Sequence, residues 1–149
     1  MSECKVKDQL TDAMKESMRN RDKARLGTIR LALAELKRIE VDEKSLDDKR
    51  ALAVLDKMVK QRRDAMAQFE SAGRTDLADQ EKLELAVLME FLPEQLSEEA
   101  LIKLVTQAIS ETGAQGMKDM GKVMGIVKPK VQGRADMSVI SSIVKNQLN

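Results

Sequence analysis

Apolar side chains recur at three- and four-residue intervals along this chain, and no stretch alternates in the two-residue rhythm of a half-buried strand. Val6, Leu10, Met14 and Met18 form a first stripe; Leu26, Ile29, Leu33 and Leu36 a second; Leu52, Leu55, Val59, Met66 and Phe69 a third. Each spacing puts its members on one helix face, so the chain can bury apolar surface only by packing helix on helix. The filling is aliphatic. Phe69 and Phe91 are the only aromatic residues in 149, and ten flexible methionines join Leu, Ile, Val and Ala in filling irregular contacts.

The stripes break at Asn20 to Asp22, at the acidic stretch Glu40 to Asp48, and at Gly73, where glycine ends a helix cheaply in the left-handed conformation. Thr75 is predicted to cap a fourth helix whose apolar face runs Leu77, Leu85, Leu88 and Leu92. Pro93 lacks a backbone donor and pushes Leu92 out of helical geometry, so Phe91 to Leu96 reads as a domain boundary. Ser97 restarts the helix with Glu98 and Glu99 in its first turn, and Leu101, Leu104, Val105 and Ile109 form its stripe. Gly113 and Gly116 end it. A sixth helix carries Met117, Met120, Val123, Met124 and Val127 on one face until Pro129 disturbs it. Asp136 caps a seventh, with Val139, Ile140, Ile143, Val144 and Leu148 inward. The expectation is an all-α protein: a four-helix hairpin or bundle over residues 1–92, then a small three-helix domain over 93–149.

Composition restricts the chemistry. There is no histidine, tryptophan or tyrosine and one cysteine, Cys4, so neither a histidine base nor a base-activated thiol can be assembled. No catalytic residue, metal ligand set or cofactor is expected, and the chain reads as a binder. A lone cysteine fits a reducing compartment, no apolar run approaches 18 residues, and the first residues do not form a signal peptide. The expectation is a soluble cytoplasmic protein with no membrane association. Cys4 reads as an incidental residue in a frayed terminus.

Several motifs have plain explanations. Gly116 to Lys122 fits the first seven positions of a phosphate-binding loop, but Val123 stands where Ser or Thr would hold magnesium, and a helix precedes it rather than a strand. The same segment places Gly121 and Gly125 four apart, where missing side chains permit close approach of a neighbouring helix or a ligand backbone. Glu40, Asp42, Glu43, Asp47 and Asp48 lack calcium-loop spacing and read as a solvated turn, with Asp47 and Asp48 favouring the start of the third helix. Ser141, Ser142 and Lys145 invite comparison with serine amidases, but the serines fall on different helix faces. Arg62 and Arg63 interrupt an apolar stripe. At least one guanidinium is expected to lie along a helix contact and pair with a carboxylate, Glu81 or Glu84 being the candidates, with phosphate contact as the alternative.

The charge is uneven although the total is only +1. Residues 1–92 are balanced and 93–112 are net −3. From Gly113 onward Lys118, Lys122, Lys128, Lys130, Arg134 and Lys145 face only Asp119 and Asp136, a net +4. The run Lys128-Pro129-Lys130-Val131-Gln132-Gly133-Arg134 reads as a basic loop between helices, which beside Lys118 and Lys122 builds local positive potential. Without aromatics to stack on unpaired bases, the expected partner is structured RNA gripped through backbone and shape. A second expectation is a protein adaptor that docks a partner helix on Met117, Met120, Met124 and the surroundings of Phe91.

Several segments together resemble the YqeY family along nearly the whole chain: Lys60 to Asp64, Phe69 to Leu77, Leu92 to Ser97, Lys118 to Gly125, Lys128 to Val131 and Gly133 to Asp136. The region after Pro93 also looks like the tail domain of the GatB subunit of glutamine-dependent tRNA amidotransferase. This resemblance implies a helical fold of a larger and a smaller domain, a tail that helps to hold tRNA, and an annotation of carbon-nitrogen ligase activity with glutamine as amido-N-donor. The amidase nucleophile and kinase-like site of the amidotransferase have no counterpart in these residues. What the resemblance carries over is a tRNA-binding surface at Lys118, Gly121, Lys122, Gly125, Lys128, Lys130, Gly133 and Arg134. The implied partners are tRNA or other structured RNA and amidotransferase or synthetase machinery.

Overall fold

The computed structural model describes residues 4–149, so Met1 to Glu3, part of the segment judged above not to be a signal peptide, lie outside it. The described residues form seven α-helices and no strand, and the chain is all-α. It divides into two compact units, Met1–Leu92 and Pro93–Asn149.

The first unit contains α1 (Lys5–Arg19), α2 (Lys23–Glu43), α3 (Asp48–Ser71) and α4 (Thr75–Met89). α3 packs along α4, α1 along α2, and α2 also meets α4. Leu10, Ile29, Leu36, Leu55 and Leu88 are fully buried between them. Gly73 sits at φ +72° after α3, and the Arg74 N–H donates to the Phe69 carbonyl at 2.8 Å, so the helix end is closed by a left-handed glycine as its position predicts. Thr75 does not cap α4. It is the first helical residue, and the cap position belongs to Arg74, which makes no side-chain capping bond. The break before α3 is also shorter than the acidic stretch suggests, because α2 continues through Glu43 before Lys44 turns left-handed at φ +59°.

Cys4 is no frayed residue. It is 2% exposed, belongs to the core of this unit, and its sulfur accepts from the Lys7 N–H as the cap of α1. Burial pushes its thiol pKa up. The acidic stretch is spent on pairs: Glu40 with Lys7, Asp42 with Arg38 and Glu43 with Arg50. Asp47 caps α3 through the Arg50 N–H.

The second unit contains α5 (Glu98–Thr112), a 3-10 turn at Met117–Asp119, α6 (Met120–Val131) and α7 (Met137–Leu148). Ser97 accepts from the Ala100 N–H, Gly113 takes φ +67° after α5, and Asp136 accepts from the Ser138 N–H. Leu101, Val105, Val123, Val127, Val131, Ile140 and Val144 fill the centre. Two expectations fail. Val139 points outward at 43% exposure, because Ile140, Ile143 and Val144 occupy the inner face of α7. Pro129 does not end α6, which runs on to Val131. Its cost is the N–H bond to the Gly125 carbonyl, and the buried series Val123, Val127 and Val131 at four-residue spacing holds the last turn in place.

Candidate functional site

The residues singled out above separate, in the structure, into an outer helical face and a structural clasp. The face belongs to α6. Successive helical residues turn by about 100°, so the buried Val123, Val127 and Val131 fix one side of the cylinder. Gly121, Gly125 and Pro129, also four apart, then run along the opposite side, and all three are exposed. A Cβ at Gly121 or Gly125 would meet nothing within 4 Å. The close approach expected of a neighbouring helix is therefore not made by any described residue, and the strip is open.

Lys122 and Lys128 flank this strip on either side, each about 60° from Gly125 around the helix, and both are exposed. Lys130 is exposed on the turn nearest the helix C-terminus, where the negative end of the helix dipole favours cations. Lys118 lies one turn upstream, exposed in the 3-10 segment. Asp119 sits beside both Lys118 and Lys122. Its carboxyl is held below the usual carboxylate range, first by the Gln115 N–H at 3.0 Å and then by these two cations. The Lys122 ion pair with Asp119 spans 3.7 Å with the lysine side chain 72% exposed, a geometry in which solvent screens the pair.

The basic run is thus helix rather than loop as far as Val131, and only Gln132 to Ala135 make the turn. Gly133 and Arg134 serve that turn. Gly133 is buried at φ +74°, and its carbonyl accepts from Gln95 Nε2 at 2.9 Å. The Arg134 carbonyl accepts from the Leu96 N–H at 2.9 Å, while its Nε donates to the Glu94 carbonyl at 3.2 Å. The two residues clasp the segment that leads into α5.

Arg62 and Arg63 take structural positions in the first unit. Arg62 Nη2 lies 3.7 Å from Glu84, both side chains 15% exposed, and its Nη1 donates to the Met58 carbonyl at 3.2 Å. Arg63 Nη2 rests 3.9 Å from the Met89 sulfur. Of the methionines named for helix docking, Met120 and Met124 are partly buried and pack against the core of the second unit, whereas Met117 falls in the 3-10 turn before α6 and is 42% exposed. Sequence reasoning missed Arg25, whose guanidinium pairs with Glu90 at 3.3 Å and stands 5.9 Å over the Phe91 ring. Partners 65 residues apart leave no local signal. Among the described residues no group of three His, Cys, Asp or Glu is placed to hold a metal ion, and no helix is long and apolar enough to cross a membrane.

A family profile described as Yqey-like protein matches residues 7–148. The chain is 31% identical over 133 residues to "Altered inheritance of mitochondria protein 41, mitochondrial" of Pyrenophora tritici-repentis, spanning 87% of this chain and 73% of that one. It is 36% identical over 83 residues to a Schizosaccharomyces pombe protein named only as uncharacterized, spanning 55% of this chain and 68% of the relative. A Candida glabrata protein with the same name as the first is 36% identical over 84 residues, which span 54% of this chain and 46% of that relative.

Proposed function

The chain belongs to the YqeY-like family, and from that premise we propose that its second unit is an accessory module that grips structured RNA, tRNA foremost, alongside amidotransferase or synthetase machinery. One observation carries the reading. The open strip Gly121–Gly125–Pro129 lets a sugar-phosphate backbone approach the helix closely, and Lys122 and Lys128 on its flanks supply cations to phosphates, with Lys118 one turn upstream and Lys130 about 100° around the helix from Pro129. The chain contributes position and affinity rather than bond chemistry, in keeping with a sequence that has no histidine and a buried cysteine. The resemblance of this region to the amidotransferase tail supports tRNA over other anionic polymers. A lone cysteine, which can form no disulfide within the chain, fits a reducing compartment such as the cytoplasm; the mitochondrial names belong to the relatives.

The test is tRNA affinity across a salt series. Log affinity falls steeply with log salt for the native chain, and the slope becomes shallower by roughly 2 to 3 when Lys122, Lys128 and Lys130 are replaced by alanine. A flat native dependence, or a triple variant that binds like the native chain, overturns the reading.

A further inference from the structure

We propose that the seam between α2 and α3, in the first unit, is a binding site for a small phosphorylated molecule. α1 packs on α2 and α4 on α3 far more closely than α2 meets α3, and the gap left is a groove of about 380 Å3. That volume falls in the range of small-ligand sites. Its floor is apolar, formed by Ile39, Val54 and Met58. Four cations line it, Arg38 from α2 and Arg50, Lys57 and Arg62 from α3, with Glu35 the one acid in the lining, while Asp42, Glu43 and Glu84, outside the lining, pair with Arg38, Arg50 and Arg62.

The donors are set in advance. Glu35 and Asp42 hold the Arg38 guanidinium from two sides at 2.6 and 3.1 Å, and Glu43 takes Arg50 through Nε and Nη2, leaving Nη1 without a partner among the described residues. Lys57 Nζ has no ion pair or hydrogen bond among the described residues, and its charge helps to hold down the Glu35 carboxyl, which is lowered first by Arg38. Arg62 Nε is buried with no acceptor. Such a donor calls for an oxygen acceptor at the groove, which solvent or a ligand can supply. On α3, Arg50, Lys57 and Gln61 fall within about 40° of one another around the helix, so they form a single row of donors along one wall. A recessed groove with a donor row above an apolar floor suits a compact phosphoryl group carrying a small organic body. An RNA backbone is better met by the exposed lysines of α6.

The experiment is an amide chemical-shift titration of the full chain with sodium pyrophosphate and, separately, with adenosine triphosphate free of magnesium, at low salt. Saturable shifts confined to residues 31–39 and 50–62 are expected, with about tenfold weaker binding in Lys57→Ala, the loss of one charge-assisted contact. Lys57 is exposed, so that variant keeps its fold, and its unchanged far-ultraviolet spectrum and unfolding midpoint verify this. Shifts spread over lysines throughout the chain, the absence of shifts with both ligands, or a Lys57→Ala variant that binds like the native chain would overturn the proposal. So would tRNA shifting these amides while pyrophosphate leaves them in place. The tRNA affinity of Lys57→Ala, read in parallel, stays at the native value, which separates a failure here from a failure of the RNA reading.

Discussion

Asp48, at the start of α3, accepts the Val6 N–H at the start of α1 through Oδ1 at 2.9 Å, although 42 residues separate them. One carboxylate thereby satisfies an orphan donor at the head of another helix and ties α1 to α3. The Asp48 carboxyl is held below the usual aspartate range, first by this N–H and also by the Cys4 thiol beside it. A depressed folded pKa means that the stabilisation is complete above the unfolded value and disappears as pH falls through the folded one. Urea unfolding at pH 7 and at about pH 3 measures this. The native chain loses stability on acidification, and Asp48→Asn is less stable at neutral pH with a smaller further loss in acid. An unchanged acid dependence in Asp48→Asn would show that the bond contributes nothing.

The Arg62–Glu84 pair is removed from solvent on both sides and therefore asymmetric in its response. Glu84→Leu leaves a largely buried guanidinium without its carboxylate and lowers unfolding stability by about 2 kcal/mol. Adding Arg62→Met to that background recovers most of the loss, because the stranded charge is gone. Chemical unfolding of the two single variants and the double variant decides the matter; additive losses would contradict it.

Glycines of the second unit respond in opposite directions. Gly133 stands at φ +74°, so Gly133→Ala strains the backbone and costs about 1 to 2 kcal/mol in thermal unfolding. Gly125 is helical with open space where a Cβ would go, so Gly125→Ala raises stability by roughly 0.5–1 kcal/mol. Gly125→Leu keeps the fold and weakens tRNA binding, since its side chain stands on the strip the backbone must approach.

Cys4 is in the core with its thiol pKa raised by burial. At pH 8 a disulfide reagent therefore reacts with it slowly in the native protein and rapidly in urea, the rate following the unfolding curve. Immediate reaction in the native state would place the thiol outside the core.

Features governed by neighbours in sequence were legible from the chain alone. Ser97 and Asp136 cap because a short oxygen acceptor next to a helix start finds its own backbone N–H groups two or three residues on. Gly73 and Gly113 terminate because only glycine enters the left-handed region without cost. On the outer face of α6, the spacing of Gly121 and Gly125 could be read directly, since it is a property of helical pitch. For Arg62 and Arg63 the sequence offered two carboxylates one turn apart, Glu81 and Glu84, beside phosphate contact, and packing of α3 on α4 paired Arg62 with Glu84.

What the chain alone determined is therefore a set of amphipathic helices, their local stops and a surplus of cations after Gly113, because each depends on contacts within a few residues. Tertiary structure decided the rest. It made Cys4 a buried cap, gave Asp48 to α1, carried α6 through Pro129 on the strength of its valine face, and turned Val139 outward. The physical reason is common to all four: the energy of a side chain in these places comes from groups distant in sequence, whose positions exist only once the helices have packed.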